Sequence, residues 1–397
     1  MNRASSADAA WKEYLDGIKR IRDMIFGHPY AADAQDRPGA HYLFHQVQAI
    51  AFNRVIAPNT AYPRFYLHGQ LEPMTYSMGG GSADIQYRQS FVDGAGSYRI
   101  WGRRGSACLS LIQVMDGYWG ERRESIGVRA WSLDVLGIAP GDHFELIACA
   151  RERRDRWLQL DESIPNSCIF FREIFGNWES EQPSEIHIAP LAPNRDRPVN
   201  VSEADMAVRL KTAVAFMEEF IGRYSQSMIE DVVSRAGYNV MVTDETSWPG
   251  ANAASGYFFL AYKLELNETL IITLDWEPVP YWGTQVTDVW HQTCEPIYHQ
   301  SSLNSFQTVR DDDGLYRLVL SIRDPGAANW LDLVGHSKGF LELRVVPGRE
   351  VVMPRTEKVA LVDIRSALPV STRYLTPEER NAELTKRRNG ALRRWRY

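Results

Sequence analysis

Apolar positions repeat at helical spacing in only a few stretches of this chain. From Ala7 to Phe26 the residues Trp11, Tyr14, Leu15, Ile18, Ile21 and Ile25 predict an amphipathic helix, capped by Ser5 or Ser6 and stopped by Gly27–Pro29. A second helical pattern covers His41 to Ala57; His45 interrupts it and reads as a packed, hydrogen-bonded core histidine rather than a ligand. Ser202 caps a third helix, with Glu203 and Asp205 in its first turn and Met206, Leu210, Val214, Met217, Phe220 and Ile221 as its apolar stripe. A fourth piece, 227–236, ends at Gly237. Thr376, Pro377 and Glu379 form a capping box that opens a last, basic helix. Leu384 and Leu392 are expected to dock that helix. Its cations (Lys386, Arg387, Arg388, Arg393, Arg394, Arg396) are expected to face water or acidic partners.

Between these helices the pattern shortens. PRFYLHG, DIQYRQSFV, SYRIWG, ACLSLIQVM, FELIACA, RWLQL, CIFFREIF and EIHIAPL follow one another, separated by turns such as VDGAGS, GRRGS and PGD. A second series follows TSWPGANAASG: YFFLAYKLEL, TLIITLDW, WGTQVTDVW, NSFQTV, LYRLVLSI, GFLELRVV and VALVDI. Strands this short and numerous predict a mainly β (α+β) fold, two jelly-roll-like β-sandwich modules with an inserted helical pair and N- and C-terminal helices. The proline-rich stretch 183–198 reads as a boundary. The expected divisions are a helical segment 1–57, a first β-rich module 58–200, a helical connector 201–248, a second β-rich module 249–365 and a basic helix 366–397.

The two β regions resemble each other. Leu109–Trp119 lies over Tyr281–His291 without a gap, matching Gln113, Val114 and Asp116 to Gln285, Val286 and Asp288 at an offset of 172 residues. Downstream, Ser132-Leu133 parallels Ser302-Leu303. The expectation is that 85–191 and 257–364 share a topology.

Composition narrows the function. The 397 residues are 44% hydrophobic and 24% charged, and 12 Trp with 18 Tyr suit sheet surfaces and pockets alike. A net charge of −6 argues against nucleic acid as a partner. Four cysteines without CxxC spacing read as reduced thiols of a cytoplasmic protein, and no signal peptide or 18-residue apolar run argues for a membrane. A homo-oligomer is compatible with all of this.

YRIWGRRGSA, IFFREIFGNWESEQPSEIHI, RDPGAANWLDLVGH and the TPEER…RRWRY tail resemble bacterial proteins carrying domain of unknown function 1214, often paired in longer relatives with domain of unknown function 1254. The resemblance runs from about Tyr87 to the C-terminus. It implies a β-rich, jelly-roll-like architecture with inserted helices, and no agreed activity. The chain departs from the family pattern at GGGSADIQY, where relatives more often carry an Asn-Pro-Asp-type turn.

No dinucleotide fingerprint, phosphate loop, nucleophile elbow or zinc-type histidine spacing is present, so no cofactor or metal is expected. What remains is acid–base chemistry in Tyr281–Val346, which holds His291, His299 and His336. Asp332 and His336 are four apart, and on a helical turn the carboxylate would orient the imidazole. Arg323 and Asp324 sit at the Pro325-Gly326 turn, where Arg323 is a plausible anchor for a carboxylate or sulfate. Arg323, Asp324 and Asp332 as a turn-fixing ion pair over Trp330 is the structural alternative. Tyr281, Trp282, Trp290, His291, Asn304 and Trp330 are the candidate substrate-binding residues. The expected function is a cofactor-independent lyase, isomerase or hydrolase acting on a small, partly apolar molecule. The alternative is a non-catalytic small-molecule or carbohydrate-binding protein with an aromatic-lined cleft.

Overall fold

The structure is a computed structural model that describes residues 6–67, 76–117, 128–154, 156–192, 201–243, 256–346 and 351–394. Ser5, Arg396, the 193–198 end of the proline-rich stretch, most of TSWPGANAASG and the Tyr118-Trp119 end of the repeat lie outside these residues. In chain order the elements begin with α1 (Ser6–Gly27), α2 (Arg37–Ala51), β1 (Tyr66–Leu67), β2 (Tyr76–Met78), β3 (Ile85–Val92), β4 (Ser97–Arg103) and β5 (Leu109–Met115). They continue with β6 (Val128–Ser132), β7 (His143–Cys149), β8 (Trp157–Gln159), β9 (Ser167–Ile174), β10 (Glu185–Pro190), α3 (Glu203–Phe220) and α4 (Ser227–Ala236). Next come β11 (Val242–Thr243), β12 (Gly256–Lys263), β13 (Glu268–Leu274), β14 (Tyr281–Thr287), β15 (Gln292–Cys294) and β16 (Ser302–Asn304). The last are β17 (Tyr316–Ser321), β18 (Trp330–Asp332), β19 (Lys338–Val346), β20 (Arg355–Ala360), α5 (Ile364–Ala367) and α6 (Pro377–Arg394).

The chain forms two compact units. The first is 1–72, 86–173 and 183–224; the second is 73–85, 174–182 and 225–397. The helices α1, α2 and α3 therefore belong with the first set of strands, and α6 with the second.

In the first unit the sheets run β1-β3-β9-β5-β6 and β10-β4-β7-β8. Their facing residues close one core: Val92, Ile112, Val114, Ile169 and Phe171 meet Tyr98, Ile100, Leu146, Ala148, Ile186 and Ile188. Strand β4 shows why. Tyr98 and Ile100 alternate inward while Ser97, Arg99 and Arg103 point to water, as a period of two requires. Each fully buried Ile or Leu stabilises the sandwich by about 1.5–3 kcal/mol. Beside it, α1 lies against α3. Gly17 makes the close approach, since a Cβ there would fall within 2.7 Å of Val214 Cγ2. The buried face of α1 runs through Ala7, Ala10, Gly17, Ile21 and Ile25. Trp11 and Leu15, expected on the apolar face, are 47% and 55% exposed. The small residues permit helix contact and bulky ones would not, so the stripe is rotated from the expected one.

The second unit repeats the first. Its sheets run β11-β12-β19-β14-β15-β2, with β16 also paired to β14, and β18-β17-β13-β20. Strands β3 to β10 correspond in order to β12, β13, β14, β16, β17, β18, β19 and β20. Both units alternate strands between two sheets in the same way, and β7–β8 and β17–β18 are parallel in each. The 172-residue offset survives in the pairing itself. Ile100 pairs with Leu146 and Ile272 with Leu318; Leu111 pairs with Ser132 and Gly283 with Asn304. Ser132 thus corresponds to Asn304, two residues beyond the Ser302 read from the sequence. The fold is mainly β, with jelly-roll-like sandwiches and helices added at their margins.

Helix α6 docks in an unexpected way. Its capping box is present: Glu379 N donates to Thr376 Oγ1 at 3.2 Å, and Thr376 N to Glu379 Oε2 at 2.8 Å. Leu392, however, is 53% exposed, whereas Arg380, Arg387 and Arg394 are buried. These arginines are seven residues apart, two helical turns, and so form one face. Their long stems supply apolar contact and their heads find carbonyls, which two leucines cannot do.

Candidate functional site

Two polar assemblies in the second unit gather about half of the residues singled out by sequence. The first is centred on Asp84, which ends the GGGSAD loop. Its Oδ1 accepts from Trp178 Nε1 and from Asn304 Nδ2, both at 2.7 Å, and its Oδ2 accepts from the Tyr281 hydroxyl at 2.8 Å. Asn304 also donates to the Gly176 carbonyl at 3.1 Å. Gly283 on β14 leaves room for this contact, because a Cβ there would lie 2.8 Å from Asp84 Oδ2. Two buried cations from α6 complete the surroundings. The guanidinium of Arg387 is 4.3 Å, and that of Arg394 4.1 Å, from the centroid of the Trp178 ring. Arg387 donates to the Pro296 and Ser302 carbonyls and the Ser302 hydroxyl; Arg394 donates to the Ala83 carbonyl at 3.0 Å. Burial pushes Arg387 down to about 9 and Arg394 to about 10, against the pull of Asp84, so both remain cations at neutral pH. Tyr281 and Asn304 therefore come together on a carboxylate that sequence reasoning missed. All of these groups are buried, and most of their polar atoms are hydrogen-bonded, which makes the assembly a structural hub.

The second assembly is open to water. Asp332, at the end of β18, is buried and accepts from His299 Nδ1 at 2.7 Å through Oδ2 and from Val334 N at 2.8 Å through Oδ1. The His299 side chain is 44% exposed. An imidazole that donates its Nδ1–H to a carboxylate carries the lone pair of its neutral form on Nε2, and among the described residues nothing hydrogen-bonds that atom. The pair is held from behind. Asp332 N donates to the Gln300 carbonyl at 3.0 Å, and Gln300 Nε2 donates to the Trp330 carbonyl at 2.6 Å. Gln300 Oε1 in turn accepts from Arg380 Nη1 at 3.1 Å, and Arg380 Nε donates to Asp324 at 2.9 Å.

His336 does not take the expected place on a helical face with Asp332. Residues 330–332 are extended, and Val334 and Gly335 follow with φ of 50° and 83°, so no helical turn forms between the two. Left-handed backbone at Val334 is unusual for a β-branched side chain. His299, noted in the sequence but not placed in the site, takes the carboxylate. Its separation of 33 residues from Asp332 left no local signal. Arg323 is exposed, and Asp324 caps Gly326 N at 2.7 Å while pairing with Arg380. Trp330 donates its Nε1–H to the Ser321 carbonyl at 3.1 Å.

The remaining aromatics face the interior. Trp282 packs edge-on against Trp276 and Tyr316 in the sandwich core, because the odd and even residues of β14 point to opposite sides. Trp290 is buried, with its backbone N–H donating to Asp288 Oδ1 at 2.9 Å. His291 is buried against Phe340, and its carbonyl accepts from Gly79 N and Gly80 N at 2.9 and 3.1 Å. These side chains fill the protein and do not line an open cleft. Cys294 is buried, and that burial, with Asp288 and Asp332, raises its thiol well above the ordinary range, which is the reverse of an activated nucleophile. Among the described residues no group of three His, Cys, Asp or Glu converges to hold a metal, and no helix is long and apolar enough to cross a membrane.

Neither a protein-family model nor a curated protein sequence matches this chain. Solved structures do. A crystal structure of an uncharacterized protein from Burkholderia cenocepacia superposes with a TM-score of 0.80 at 23% identity, covering 90% of this chain and 98% of that one. A protein from Vibrio parahaemolyticus matches with a TM-score of 0.44 at 10% identity, over 86% of this chain and 100% of its own. The first likeness establishes the fold.

Proposed function

We propose that the protein is a cofactor-independent acid–base enzyme, a lyase, isomerase or hydrolase acting on a small, partly apolar molecule, with His299 as the proton-transfer group and Asp332 fixing its ring. The observation that carries this reading is the 2.7 Å bond between a buried carboxylate and an imidazole whose side chain is 44% exposed. Such a pair supplies a base in the correct tautomer and stabilises the imidazolium formed when it takes a proton. Tyr298, exposed beside His299 and 5.9 Å from the Arg388 guanidinium by ring centroid, offers an aromatic surface with a cation for the substrate. The aromatic binding cleft is not favoured, since Tyr281, Trp282 and Trp290 are packed inside.

This reading includes membership of the domain of unknown function 1214 family, which rests on the sequence strings. It also includes a cytoplasmic setting, which the four free cysteines support. The test is conversion of a pool of small metabolites by purified protein, followed by mass spectrometry. His299→Ala and Asp332→Asn should keep the wild-type circular dichroism and lose the conversion. Conversion unchanged in His299→Ala, or none by the wild type, would overturn the assignment.

A further inference from the structure

In the first unit, α1 and α2 frame an open cavity of about 640 Å³. This is within the range of about 300–1,000 Å³ usual for small-molecule sites. Helical spacing assembles its chemistry. Arg37, His41 and His45 follow one another at four-residue steps along one face of α2, and Arg22 and Phe26 do the same on α1. His45 thus lines a cavity and is exposed, not packed in a core as its place in an apolar segment predicts.

The cations differ in what they already hold. Arg22 is neutralised, its Nε and Nη2 both donating to Asp23 Oδ1 at 3.0 and 2.6 Å. Arg37 is not. Its Nη1 donates to the Ala31 carbonyl at 3.0 Å and its guanidinium lies 5.5 Å from the Phe26 ring centroid, but among the described residues no carboxylate pairs with it. The imidazoles of His41 and His45 pack beside Phe26 and Phe44, with centroids 4.8 and 5.4 Å apart, and neither ring hydrogen-bonds a described residue. One guanidinium with no carboxylate partner among the described residues, two imidazoles and two phenyl rings thus share a concave site.

We infer that this cavity binds an aromatic carboxylate. A single unpaired guanidinium matches a monoanion and can grip its two oxygens side by side. His41 and His45 donate to the same group or its substituents, and Phe26 and Phe44 receive the flat apolar body. The site is separate from His299 and Asp332 and does not depend on their role.

Titration calorimetry on the full chain tests this with 2-naphthoate, its neutral analogue 2-naphthalenemethanol, and phenyl phosphate. Saturable one-to-one binding of 2-naphthoate is expected, with the alcohol at least tenfold weaker and phenyl phosphate no tighter. Arg37→Gln should weaken naphthoate at least tenfold, and the double variant His41→Gln/His45→Gln at least threefold. The double variant decides the matter if Arg37→Gln does not fold. Absence of saturable binding, equal affinity for the alcohol, tighter binding of the phosphate, or unchanged affinity in a folded variant would each overturn the assignment.

Discussion

A single atom decides what several residues of this protein can be. Gly80 has φ of +61°, and a Cβ there would fall on the His291 ring and 2.9 Å from Glu342 Oε2. Gly80→Ala should therefore destabilise the chain by at least about 1–3 kcal/mol, read as a lower urea midpoint. An unchanged midpoint would mean that the loop relaxes freely. Asp84→Ala should be worse, costing about 3–5 kcal/mol, because it strands the Tyr281 hydroxyl, the Trp178 indole N–H, the Asn304 amide and two buried guanidiniums at once. Tyr281→Phe removes one of these donors and should cost about 1–2 kcal/mol. Cys294 gives a chemical test. With its thiol held protonated by burial, it should resist iodoacetamide at pH 8 in the folded protein while the partly exposed Cys108 is labelled, as peptide mapping would report.

Helix α6 shows where sequence pattern carries to structure and where it stops. The Thr376–Glu379 capping box depends on four adjacent residues, and it forms as read. The docking face depends on partners far away in the chain, and there hydropathy misleads. Arg380, Arg387 and Arg394 score as surface residues, yet each finds carbonyls or a carboxylate on the second unit. Deleting residues 376–397 should lower the melting temperature by well over 5 °C; a change of under 2 °C would show that these arginines contribute little. The same distinction explains the candidate site. Tyr281 and Asn304 were legible only as members of a candidate aromatic pocket, and Asp84 and His299 had no periodic or motif signal, because the strands that bring them to their partners are separated by long intervals of chain.

Across the whole molecule, the sequence carried a short repeat at an offset of 172 residues, and the strand pairing keeps it from β4 through β7 and from β13 through β17. Alternation and turn residues specify a sandwich, so its topology could be read twice in one chain. The division into units could not, because the second unit recruits residues 73–85 and 174–182 from within the first series. A fragment of residues 225–397 lacks Asp84 and Trp178 and should therefore give no cooperative thermal transition; a sharp transition would contradict the hub's importance. His299 carries the proposed chemistry, and nitrogen-15 NMR of its imidazole reads which ring nitrogen holds the proton. At a pH where the ring is neutral, its proton is expected on Nδ1 with a bare Nε2 in the wild type, and that tautomer should be lost in Asp332→Asn. A wild-type ring protonated on Nε2, or a tautomer indifferent to Asp332, would contradict it.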